Sequence, residues 1–169
     1  MRTAPPPTRL RASVAAVGVP FLTCGLALAG LVAWTAGGRA GTPPDVAVTE
    51  AYVFQPLGTT PETAAFFTLT NDGGSADRLI AVTSPDTAVQ PVLSRHHMTP
   101  SGAAYRQPVD SAAVPARGGL TMTPHGIDVT VRPLETWRPG ERVAFTLHFA
   151  HRAPVTVEAT VVRPGTVRA

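Results

Sequence analysis

An all-β, antiparallel Greek-key sandwich or barrel of about eight or nine strands, preceded by one N-terminal hydrophobic helix, is the fold this sequence predicts. Three observations carry that expectation. From Asp45 onward apolar residues recur at every second position, as in Val46 and Val48 or Ile127, Val129 and Val131. That is the period at which a strand alternates its side chains between two faces. Gly, Pro and Asn-Asp signals break these runs at short, regular intervals, and no stretch of helical period follows the leader.

The leader comes first. Residues 1–11 carry Arg2, Arg9 and Arg11, and residues 12–38 then run without a charge. A basic segment before an apolar span of that length reads as a cytoplasmic N-terminus and a membrane-crossing helix, with the rest of the chain outside. The span reads as a retained single-pass anchor. The alternative is cleavage after the small residues around Gly38-Arg39-Ala40, which would make the protein secreted or periplasmic. Cys24, the only cysteine, reads as a small apolar residue of the helix. Phe21-Leu22-Thr23 lacks the small residue expected just before a lipid-modified cysteine. Residues 39–45 read as a Gly/Pro-containing tether.

Four of the fourteen basic residues (Arg2, Arg9, Arg11, Arg39) precede the first acid, Asp45, which leaves ten arginines against eleven acids. A near-neutral domain has no field to track phosphates, so nucleic acid is not an expected partner. With Cys24 in the leader, disulfides, thiolate ligands and a cysteine nucleophile are closed to the exported part. There is no G-x-S-x-G, no phosphate-cradling Gly-rich loop and no H-E-x-x-H, and the chain is not expected to be an enzyme.

The expected strands follow in order. Val46 to Val53 is the first, and Pro56 to Pro61 a turn-rich loop. Ala64 to Asn71 is β-rich and ends in Asn71-Asp72-Gly73-Gly74, a hairpin or sheet-crossing turn into Asp77 to Val82. Val89 to Arg95, Ala103 to Val109, Leu120 to Met122, Ile127 to Leu134, Val143 to Phe149 and Val155 to Val162 complete the set. Residues 46–163 form the domain and 164–169 a tail. Trp137 reads as a packing lid over the Arg138-Pro139 turn, Met122 as a core or rim residue, and His148 and His151 as exposed turn histidines.

Chemistry concentrates between Val92 and Leu134, which holds three of the five histidines and two of the three methionines. His96-His97-Met98 contains a His-x-Met. On a strand, residues two apart share a face, and an imidazole beside a thioether suits copper, above all Cu(I).

The framework around this motif resembles the periplasmic copper chaperones called PCu(A)C. The residues that carry the likeness are Ala64-Ala65-Phe66-Phe67-Thr68-Leu69-Thr70-Asn71, Asp77-Arg78-Leu79, Pro108-Val109, Pro115-Ala116-Arg117-Gly118-Gly119, Pro124-His125-Gly126 and Arg138-Pro139-Gly140-Glu141. The resemblance implies a cupredoxin-like fold, export, and delivery of copper to the CuA centre of cytochrome oxidase, with oxidase assembly components as partners. The family site is a His-x-Met, a lone Met and a second His-x-Met. Here His96 and Met98 match the first part. Arg106 falls where the lone Met belongs, Asp128 where the second His belongs, and Thr130 where the last Met belongs.

Arg cannot ligate, and Asp and Thr are hard oxygen donors, so a Cu(I) site on the family plan is not available. Cu(II) held by His96, His97 and Asp128 is the chemically reasonable remainder. The expected metal residues are therefore His96, Met98, His97 and Asp128, with copper as Cu(I) or Cu(II). The alternative is a metal-free binding or assembly module in which Arg106 and Asp128 pair where the ion would sit.

Overall fold

The computed structural model describes residues 8–37, 41–58, 61–98 and 104–166. It divides into two units, residues 1–42 and 43–169, each taken by itself below.

In the first unit a single helix, α1 (Thr8–Ala36), contains the span Val19–Ala36, long and apolar enough by length and composition to cross a membrane. Phe21, Leu26, Leu31 and Trp34 are all exposed, so from Val19 on the apolar surface is unburied within the chain. A helix that is apolar and unburied needs a membrane or a partner to cover it.

The second unit is one curled, half-barrel sheet. Its strands are β1 (Val46–Phe54), β2 (Thr63–Asn71), β3 (Asp77–Thr83), β4 (Val92–Met98), β5 (Ala104–Pro108), β6 (Ala112–Val114), β7 (Gly118–Thr121), β8 (Ile127–Val131), β9 (Arg142–Phe149) and β10 (Val155–Val162). The hydrogen-bonded order is β5-β4-β8-β2-β1-β10-β9-β3-β6, with β7 also on β2. Every pair is antiparallel except β1 with β10, which run parallel. All nine expected strands are present. The tenth, β6, is only three residues long and apolar throughout.

Alternation places the core. Ala65, Phe67 and Leu69 of β2, Val129 and Val131 of β8 and Phe145 of β9 are buried on the concave side. The opposite face of β2 carries Phe66, which is buried because Tyr52 and Phe54 of β1 cover it, with ring centroids 5.0 and 4.9 Å away. Trp137 is buried edge-on against Phe145, and Met122 lies in the core.

β2 and β3 do not pair with each other, so the turn between them crosses the sheet. Asn71 holds that crossing. Its Oδ1 accepts from the backbone of Asp45 and Gly73, both at 3.0 Å, and its Nδ2 donates to the carbonyls of Ser75 and Pro115. Gly73 is needed beside it because a Cβ there would lie 2.2 Å from the Pro43 carbonyl oxygen.

The histidines of the β9 end are more engaged than exposed turn residues. His148 lies in β9 with Nε2 2.9 Å from Thr83 Oγ1. His151 is exposed, but its Nδ1 and backbone N–H both reach the buried Asp77 Oδ1, at 3.2 and 3.0 Å.

Replacing Asn71 strands several buried backbone groups at once. Asn71→Ala is expected to cost about 2–4 kcal/mol, because each buried group left unpaired costs about 1–3 kcal/mol. Urea denaturation measures it, and a loss below 1 kcal/mol (about) would show that water replaces the side chain.

Candidate metal centre

Strand β8 lies between β4 and β2, and this position builds the site. Asp128 pairs with Ser94 of β4, Thr130 pairs with Ala64 of β2, and His96 pairs across β4 and β5 with Arg106. Ser94, His96, Asp128, Thr130 and Arg106 therefore share the face opposite the core. They sit beside an open cavity of about 320 Å³ lined in part by Phe54, Glu62, Ala64, His96, Arg106 and Asp128.

His96 Nε2 stands 3.0 Å from Asp128 Oδ2, and the side chains are 28% and 4% exposed. Burial pushes the Asp128 carboxyl above its ordinary value, while the hydrogen bond and charge of His96, and the charge of Arg106, oppose that. The other carboxylate oxygen, Oδ1, is buried and has no hydrogen-bond partner from another residue. A buried acceptor without a donor from a neighbouring residue is costly.

Arg106 is engaged elsewhere than expected. Its Nη1 donates to Thr130 Oγ1 at 2.6 Å, and Nη2 lies 3.6 Å from Glu62 Oε2. Thr130 Oγ1 is also 3.2 Å from the buried Ser94 Oγ. The expected Arg106–Asp128 pair does not form, and His96 takes the carboxylate in its place. The register explains this: Arg106 is opposite His96 on β5, two strands away from β8, and the guanidinium meets the hydroxyl of Thr130.

The remaining expected residues are placed differently. His97 follows His96 and so faces the other side of β4, where its ring stacks on Tyr105 with centroids 5.3 Å apart. It is not brought to Asp128. Met98 ends β4 in register with Ala104, and its side chain lies outside the described residues. His125 is exposed in the turn before β8. Among the described residues no group of three His, Cys, Asp or Glu side chains is disposed to hold a metal. The donors that do meet are one imidazole and one carboxylate. Glu62 is the member of this cluster that the sequence did not single out; it lies just before β2, and its approach to Arg106 beside the cavity reveals it.

Comparisons with known proteins follow the same outline. The LpqE-like family, of lipoprotein type, matches residues 46–161. The copper-bound PCuAC domain from PmoF2 superposes with a TM-score of 0.58 at 22% identity, covering 72% of this chain and 96% of that domain. The solution structures of apo-DR1885 and CuI-DR1885 from Deinococcus radiodurans give TM-scores of 0.53 and 0.54 at 29% and 28% identity. They cover 73% and 69% of this chain and 82% and 77% of those chains. No curated protein matches the sequence.

Asp128 gives this face a pH signature. Its folded carboxyl holds a proton to higher pH than the unfolded value of 3.8. The folded state therefore binds more protons just above that value, and this contribution to stability falls as pH rises through the window. Asp128→Asn cannot ionise, so its thermal stability relative to the parent is expected to rise across that window. A difference independent of pH, or one that falls, contradicts the assignment.

Proposed function

The chain belongs to the LpqE-like family, within the PCu(A)C group, and from that premise we propose that it is an extracytoplasmic copper-binding protein of the PCu(A)C type. His96 and Asp128 hold the ion. Met98, two residues on, completes the retained His-x-Met and is proposed as a further ligand. The protein passes copper to an acceptor metalloprotein such as the CuA site of cytochrome oxidase, and it acts as a binding protein and not as an enzyme.

One observation carries this reading. The position that the family pattern gives to its second histidine is filled by a buried carboxylate, and that carboxylate meets the retained His96 at 3.0 Å, both residues lining one cavity. A nitrogen and an oxygen donor converge there, two of the donors that a tetragonal N,O copper site uses. DR1885, at 28% identity, is described with Cu(I) bound, and a copper-bound form of the PmoF2 domain is also known.

The apolar span of α1 supports membrane association, and the family's lipoprotein type supports the extracytoplasmic side. A retained single-pass anchor is the form we propose, with residues 43–169 outside. The sequence before Cys24 argues against attachment through a lipid at that residue.

A second reading is a metal-free module, favoured by Arg106, whose guanidinium occupies the ligand face through Thr130 and Glu62. Titrating the full chain in detergent with copper, in both oxidation states, separates the two. Copper binding expects one equivalent, weakened at least about tenfold in His96→Ala, a change of about 1.4 kcal/mol. No stoichiometric binding in either state would leave the metal-free reading standing.

A further inference from the structure

Resting on the copper-binding reading above, we infer that this site takes copper as Cu(II) in preference to Cu(I), and that Arg106 sets the preference. His96 and Asp128 are the paired donors.

The donors in this site are borderline and hard. His96 offers one imidazole nitrogen and Asp128, 3.0 Å from it, a carboxylate oxygen largely removed from water. A buried carboxylate gains more from a divalent than from a monovalent cation, because the Coulomb term scales with the charge of the ion. Imidazole with carboxylate and water in a tetragonal arrangement is Cu(II) chemistry, whereas Cu(I) is held by thioethers and thiolates. The cavity is open to solvent, and its volume of about 320 Å³ has room for water in the remaining positions.

Arg106 and Thr130 remove the soft alternative. Both stand on the face that His96 and Asp128 share, and they bond each other at 2.6 Å. A guanidinium has no lone pair to give, and a hydroxyl is a poor ligand for Cu(I). A fixed cation also repels any metal ion, and more so a divalent one. Glu62 answers that objection. At 3.6 Å from the guanidinium it offsets the positive charge, so Asp128 remains the net charge that the ion meets. Met98 is then the only thioether left in the motif, one soft donor where the family pattern supplies three.

The test uses the full chain in detergent micelles. Cu(II) is titrated against glycine and followed by electron paramagnetic resonance. Cu(I) is titrated without oxygen against bathocuproine disulfonate. The expected result is one equivalent of Cu(II) with an axial N,O spectrum, Cu(I) surrendered to the chelator, and Cu(II) affinity reduced at least tenfold in Asp128→Asn.

Arg106→Met, at a half-exposed position, restores a thioether and is expected to raise Cu(I) affinity at least tenfold even if Asp128→Asn proves unstable. His125→Ala, in the exposed turn, is expected to leave the spectrum unchanged. Tight Cu(I) binding in the parent with weak Cu(II) binding, or Cu(I) affinity unmoved by Arg106→Met, overturns the inference while copper binding stands. Failure to bind either ion overturns the copper-binding reading itself, and the inference with it.

Discussion

A buried carboxylate in the middle of a sheet has to be answered, and in this protein one histidine answers half of it. Asp128 sits on β8, flanked by β4 and β2, where water reaches only a small part of its side chain. His96 meets Oδ2, and Oδ1 is buried without a partner from another residue. Taking a charge out of water costs several kcal/mol (roughly) per ion unless it is matched, so such a residue is poorly suited to serve packing alone. Its neighbours are arranged around that charge. Ser94 and Thr130 form a hydroxyl pair beside it, and Arg106 acts on it through space while its own hydrogen bond goes to Thr130.

The rest of the sheet makes that arrangement possible. Alternation gives β8 two unlike faces, with Val129 and Val131 closing the core and Asp128 and Thr130 turned to the site. Phe54, Tyr52 and Phe66 pack as an apolar block on the face of β1 and β2 next to the cavity. At the far side the Asn71 crossing and the Asp77–His151 contact tie loops to strand ends. Aromatic burial and the Asn71 crossing hold the scaffold that carries Asp128.

Much of the scaffold was legible because period two is a strong signal where one face is buried. β8, β9 and β10 show it plainly. β6 did not, since Ala112-Ala113-Val114 is only three residues long and apolar throughout. β7 begins at Gly118-Gly119, residues that look like a loop. Gly119 instead lets β7 approach β2, where a Cβ would stand 2.4 Å from the Leu69 carbonyl oxygen. Within the site, the sequence pattern brought His96 and Asp128 to one region but not into contact. Their meeting depends on β8 entering between β4 and β2, a long-range pairing that local pattern does not encode. The same gap explains Arg106, whose partner is fixed by cross-strand register and not by the charge of the nearest acid.

The central claim is that His96 and Asp128 form the copper face of this molecule. Selective broadening of nuclear magnetic resonance signals by substoichiometric Cu(II) in the isotope-labelled full chain tests it most directly. The account predicts that the His96 imidazole and the backbone signals of Asp128 and Thr130 broaden first. Broadening centred on His125 or His151, with His96 still sharp, would contradict it.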